Sequence, residues 1–187
     1  MRNIIDTLDY LENLDFSNIS IDINLYIKLN ELLAKEQALF VGRLRDRPTA
    51  IGCIPYDIPV YDVSIIKKEV ERLSIINEQN YRSVIPDCFC KLSIMQPFFD
   101  GNKRSTAFLC NVALIKNNLG IFSISYEKLG KFNSFLRDYY TGENTKILDF
   151  IGKELIIATK QLSDENINKN NVENKAYQNN DNGPRFF

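Results

Sequence analysis

One stretch of the chain gathers the residues whose types and spacing could do chemistry: Gln96-Pro97-Phe98-Phe99-Asp100-Gly101-Asn102-Lys103-Arg104-Ser105-Thr106. It is polar, contains a glycine and opens the most apolar segment of the chain, Ala107 to Ile115. If that segment is a helix, its first turn leaves N–H groups without intrahelical acceptors and carries the positive end of the dipole. Gly101 lets the backbone approach a ligand closely. Lys103 supplies a point charge and Arg104 a bidentate fork suited to phosphate. Asp100 could hold Mg²⁺ through oxygen, as phosphate-bound Mg²⁺ prefers. Together these features suit an anion, above all a polyphosphate with a metal. They equally suit a capped helix start with a solvated Lys-Arg pair, and spacing alone leaves both open.

What the rest of the composition excludes narrows the chemistry. Among 187 residues there is no histidine, so no Ser-His-Asp triad, Cys-His pair or His-ligated zinc site can exist in this chain. Acid–base work must come from carboxylates, Lys, Tyr, Cys or the substrate. With 23 basic and 24 acidic residues the net charge is −1, which gives no electrostatic reason to bind nucleic acid or an anionic membrane. Cys53, Cys88, Cys90 and Cys110 form no C-x-x-C pair and sit among apolar neighbours, as buried thiols of a reducing cytosol do. Met1 to Asp6 lacks a continuous apolar run, and Ala107 to Ile115 is broken by Asn111 and too short to span a bilayer. The expected location is cytoplasmic.

The elements that must position the loop read as helices. Ile4, Ile5, Leu8 and Leu11 lie at helical spacing, as do Leu25, Leu29, Leu32 and Leu33 within about 21–37. Ile65, Ile66, Val70, Leu73 and Ile76 continue the pattern. A further helix over 86–95 carries Cys88, Leu92 and Met95 inward, and one over about 104–117, apolar nearly all round, belongs in the middle of a bundle. Asn118-Leu119-Gly120 ends it. Two more cover about 126–140 and 145–160. Between the second and third helices, about 40–55, two short β-prone runs flank Asp46-Arg47-Pro48, which predicts an exposed hairpin turning there. The fold class is all-α with one small β-hairpin. From Ser163 to Phe187 the chain has eight Asn in 25 residues and few aliphatic ones, so the expected division is a helical domain over 1–162 and a disordered tail over 163–187.

The loop resembles the motif of the Fic family, His-Pro-Phe-x-Asp/Glu-Gly-Asn-Gly/Lys-Arg-x-x-Arg, and from Pro97 to Arg104 every position is compatible with it. The resemblance covers roughly 32–157 and implies a Fic-like helical bundle that transfers AMP from ATP to a hydroxyl of a target protein. It places the motif at 96–107, with Asp100 on Mg²⁺, Gly101 and Asn102 on the nearest phosphates, and Lys103 and Arg104 along the phosphate chain. Phe98 is expected to pack beneath the loop. The segment with Gly42, Arg45, Ile51, Gly52 and Cys53 is similar to the flap that docks the target by strand pairing.

Two positions depart from the motif. Gln96 stands where the catalytic His belongs, and a Gln cannot take a proton from the attacking hydroxyl; losing a positioned base typically costs about 10²–10⁴ in rate. Ala107 replaces the second Arg, whose loss costs roughly 1.5–3 kcal/mol of phosphate binding. An inhibitory helix of the form Ser/Thr-x-x-x-Glu-Gly/Asn is also missing: Glu12-Asn13 has Leu8, Glu143-Asn144 has Tyr139 and Glu165-Asn166 has Gln161 where the hydroxyl belongs. Lys103 also occurs in the related Doc kinases, but Gly101 and Gln96 argue against a working one. The expectation is a nucleotide-binding protein with weak or altered transfer. A dead Fic domain acting by nucleotide or partner binding, a Doc-like phosphotransferase and a plain helical interaction module are the alternatives. The target protein is unreadable from the sequence, and a homo-oligomer is left open.

Overall fold

In a computed structural model the described residues are 2–52 and 54–160. The Asn-rich segment 163–187 and Cys53 lie outside them, so the expectations placed there are not addressed by the fold. Seven helices follow in order: α1 (Arg2–Glu12), α2 (Ile23–Ala34), α3 (Val63–Glu71, continued by a 3₁₀ turn Arg72–Ile75), α4 (Tyr81–Met95), α5 (Asn102–Lys116), α6 (Tyr126–Tyr140) and α7 (Lys146–Phe150). The all-α class read from the sequence is the class observed.

Local chemistry sets several of the boundaries. Asp22 caps α2 by accepting from the Asn24 and Leu25 N–H groups at 2.9 and 3.0 Å, and Asp62 caps α3 by accepting from Ser64 N–H at 2.7 Å. Asn118 (φ 53°) and Gly120 (φ 128°) turn the chain off α5 through the left-handed region, as the sequence suggests. At Gly120 a Cβ would lie 2.0 Å from the Ile157 carbonyl oxygen, so no other residue fits that turn.

Helix α5 packs against both α2 and α4, and its buried face includes Leu109, Cys110, Val112, Ala113 and Leu114. Facing them are Tyr26 and Leu29 of α2 and Ile85, Phe89 and Leu92 of α4, all within one apolar cluster, with Leu33 of α2 fully buried as well. Burial of such side chains stabilises by about 1.5–3 kcal/mol each, which makes this layer the mechanical base of the loop above it.

Three expectations need correction. First, α4 begins at Tyr81, five residues before Pro86, which therefore sits inside the helix. Proline cannot donate to the Arg82 carbonyl. Gly152 packs on that opening, with no room for a Cβ, which would lie 2.4 Å from Arg82 O. Second, the helix expected over 145–160 is broken. It becomes a π turn at Ile151–Leu155 and then a strand, β2 (Ile156–Ile157), antiparallel to β1 (Ile121–Phe122) with Ile121 opposite Ile157. Third, the two β-prone runs do not fold back on each other at Asp46-Arg47-Pro48. Leu44 bridges Phe98 instead, and Thr49 bridges Ile58 through bonds of 3.1 and 2.7 Å. The small hairpin is therefore displaced along the chain, with Thr49 and Ile58 as its paired residues. The cause is Arg45, which is drawn under the end of α4 and fixes 44–47 against the loop.

Candidate functional site

The loop between α4 and α5 is held from beneath by apolar packing and from within by one amide. Phe98 is fully buried as expected and meets Tyr26 edge to face, with ring centroids 4.8 Å apart. Asn102 opens α5 and is itself buried. Its Oδ1 accepts from Phe98 N–H at 2.8 Å, while Nδ2 donates to Phe98 O and to Gln96 Oε1, both at 2.9 Å. Asn102, which the resemblance assigns to phosphate, thus commits its side chain to shaping the loop, which leaves its main-chain N–H for a ligand.

From below, Asn30 of α2 completes the frame. Its Nδ2 donates to Asp100 O at 2.8 Å and to Ser105 Oγ at 3.0 Å, and its Oδ1 accepts from Gly42 N–H at 3.0 Å. One fully buried amide therefore ties the loop to the root of the flap. Thr106 Oγ1 shares a 2.6 Å bond with the Tyr26 hydroxyl and donates to Asn102 O at 2.7 Å. Gly101 has φ 75°, and a Cβ there would come within 3.1 Å of Asn30 Nδ2, so glycine is required by conformation as well as by space.

Above this frame the site residues named from the sequence come together. Gln96 and Asp100, Gly101, Asn102, Lys103 and Arg104 line a shallow cradle of about 170 Å³. Helical geometry leaves the N–H groups of Asn102, Lys103 and Arg104 without acceptors in α5. Asp100 Oδ1 accepts from Gly101 N–H at 2.5 Å, and its Oδ2 lies 3.9 Å from Arg104 Nη2. Arg104 Nη1 donates to Leu33 O at 3.1 Å and to Gln37 Oε1 at 2.6 Å, which parks its guanidinium over the C-terminus of α2. Lys103 is exposed and pairs with no carboxylate among the described residues.

Gln96 takes the left-handed conformation, φ 47° and ψ 58°, at the end of α4. Its Nε2 donates to Ser93 O at 2.6 Å. Beside it a second cleft, of about 360 Å³, joins the cradle through Gln96 and Lys103 and is walled by Ala50, Ile51, Asn133, Leu136, Arg137 and Tyr140. Ile51 thus reaches the site, whereas the exposed Gly52 lines neither space. On the other flank Phe99 and Asp100 separate the cradle from a groove of about 510 Å³ beside Phe40, Arg47 and Thr49. Ala107 is not part of the cradle lining.

Sequence reasoning missed Asn30 and the α6 residues. Asn30 left a signal: a polar residue on the same stripe as Tyr26, Leu29 and Leu33. Asn133, Arg137 and Tyr140 left none, since only the packing of α6 brings them beside the loop.

A metal would find one carboxylate here, Asp100, whose side chain is half exposed at the rim of the cradle. Among the described residues no group of three or more His, Cys, Asp or Glu could hold an ion by itself. A single carboxylate next to a phosphate site is nevertheless the donor set Mg²⁺ uses when phosphate oxygens and water supply the rest.

No protein-family model matches the chain, and no curated protein matches it in sequence. In structure it is similar to BepC, a VirB-translocated effector protein of Bartonella tribocorum solved with bound AMPPNP. The TM-score is 0.58 at 15% identity, over 84% of this chain and 85% of that one. A likeness of that degree defines the fold. Among the described residues no helix is long and apolar enough to cross a membrane.

Proposed function

We propose that the chain is a Fic-type protein that binds a nucleoside triphosphate, ATP in the first instance, with its phosphates in the cradle over the N-terminus of α5. The carrying observation is the cradle itself: three successive helix-start amides, Lys103 and Arg104 around one space, with the loop fixed by Asn30 and Asn102. Such amides bind phosphate without reorganisation. The adjoining cleft, with Ile51, Leu136 and Tyr140 on one wall and the polar Asn133 and Arg137 near them, suits the nucleoside. That BepC shares the fold and was solved with AMPPNP supports this reading.

Asp100 would hold Mg²⁺ against the phosphates, where the ion neutralises charge and orients the chain. Arg104 would leave Leu33 O and Gln37 to meet the distal phosphates. Transfer itself is the weak step. A hydroxyl attacking the α-phosphorus must lose its proton, and Gln96 has no titratable group to take it. Its amide is moreover engaged at both ends, by Ser93 O and Asn102 Nδ2. Positioning remains as a source of rate. The chain is therefore read as a transferase of low or altered activity, with the flap, Ile51 included, as the docking edge for an unidentified target protein.

Incubation with α-labelled and γ-labelled ATP, separately, in a bacterial lysate tests the activity. Protein labelled only from the α-position supports AMP transfer, and labelling only from the γ-position replaces it with phosphorylation. No labelling with intact nucleotide binding leaves a binding protein.

A further inference from the structure

Arg45 is 6% exposed although it belongs to a flap whose neighbouring arginines, Arg43 and Arg47, lie at the surface and pair with Asp46. No carboxylate among the described residues pairs with it. A buried guanidinium without an anion is costly unless every N–H finds an acceptor. The acceptors found here are all main-chain carbonyls. Nη2 donates to Met95 O at 3.1 Å and to Pro59 O at 3.0 Å, Nη1 to Arg47 O at 2.5 Å, and Nε to Gln96 O. The main-chain N–H of the same residue donates to Pro97 O at 2.8 Å.

Met95, Gln96 and Pro97 are consecutive, and they are the point where α4 ends. A helix C-terminus leaves its last carbonyls without partners and attracts a cation. Here one residue from another part of the chain takes three successive carbonyls across a turn whose central residue, Gln96, has φ 47°. That conformation is unfavourable for a side chain with a Cβ and needs outside support.

We infer that Arg45 is a positioning residue: it holds the main chain of Gln96 in the left-handed turn and so sets the direction in which loop 97–104 leaves α4. The flap and the loop are in consequence one mechanical unit, and the main-chain part of the cradle is formed before any ligand arrives. The effect on ligand binding rests on the nucleotide reading above; the effect on loop geometry does not.

Amide hydrogen exchange of the full-length chain without nucleotide tests the geometry. The reporter is Phe98 N–H, which is bonded to Asn102 Oδ1. Arg45→Met keeps the aliphatic stem and loses the donors. Arg45→Lys keeps the charge on one atom that cannot reach carbonyls spread over three residues. Exchange across 97–104 should rise by about tenfold or more in either variant, the size of one lost charged hydrogen bond, while α6 amides hold their wild-type rates. Should Arg45→Met fail to fold, Arg45→Lys carries the test.

In a Gln96→Gly background, where the left-handed region carries no steric cost and the bond to Asn102 is already absent, Arg45→Lys should raise loop exchange by much less than it does in wild type. Unchanged loop exchange, a uniform rise through α4, α5 and α6, or an equal rise in the Gln96→Gly background overturns the role of Arg45. Titration of the same proteins with Mg·ATP keeps the two ideas apart. A loop response in the Arg45 variants, with no nucleotide bound by wild type, ends the nucleotide reading and leaves Arg45 in its role. Nucleotide bound equally by wild type and Arg45→Lys, with loop exchange unchanged, ends the role of Arg45 alone.

Discussion

Gln96 spends its side-chain amide on the protein, donating to Ser93 O and accepting from Asn102, so the group nearest the cradle is a structural link with no proton to exchange. Replacing it tests whether the site is otherwise competent. Gln96→His should raise AMP transfer from ATP, read as self-labelling, by up to about 10²–10⁴, and Ala107→Arg added to it should raise it further. A double variant that binds ATP and labels nothing would place the defect in the flap. The thiols give a second residue-scale test. Burial pushes the Cys88 thiol up to about 12 and raises Cys90 and Cys110 well above the ordinary thiol range, so none forms a thiolate near neutral pH. In a Cys53→Ser background, a disulfide reagent at pH 8 should modify these three about a hundredfold more slowly in native protein than in denaturant. Labelling at the denatured rate would show that they are not core residues.

At the scale of elements, legibility followed the hydrophobic period. Helices α2, α3 and α6 each bury one repeating stripe and α5 is buried on most sides, positions readable from Leu25, Leu29 and Leu33 or from Leu109, Val112 and Ala113. Helix α1 forms where its period places it but buries Asn3, Thr7 and Leu11 and leaves Ile4, Ile5 and Leu8 exposed. What failed depended on partners distant in sequence. Pro86 looks like a helix start because proline favours that position; it lies inside α4 because Gly152, 66 residues later, packs where its ring leaves Arg82 O open. Ile156 and Ile157 look helical in isolation but pair with Phe122 and Ile121. The flap turn was misplaced because nothing local reveals that Arg45 is buried. The loop itself was legible as a set of residues, whereas the commitment of the Asn102 side chain to Phe98 was not. Gly152→Ala should therefore destabilise the protein by about 2 kcal/mol or more in denaturant unfolding, since its Cβ meets backbone that cannot move aside. A change below about 0.5 kcal/mol would mean that the π turn and α4 are not packed as described.

For the whole molecule, a helical layer built on α2, α4 and α5 carries one loop, and the loop lines the cradle proposed to take nucleotide phosphates. The Asn-rich segment 163–187 has few aliphatic side chains to offer a core, so truncation after Leu162 should leave stability within about 1 kcal/mol of the full chain. A large fall in Tm would show that this segment packs on the domain. The central claim, that the cradle binds nucleotide phosphates, is most directly tested by calorimetric titration of Mg·ATP into wild type and Lys103→Ala. Lys103 is exposed and pairs with no carboxylate among the described residues, so its loss should leave Tm unchanged. Saturable binding to wild type, weakened roughly tenfold or more in Lys103→Ala, is the predicted result. Absence of binding by ATP, ADP and CTP at millimolar nucleotide, or equal affinity in the two proteins, would contradict it.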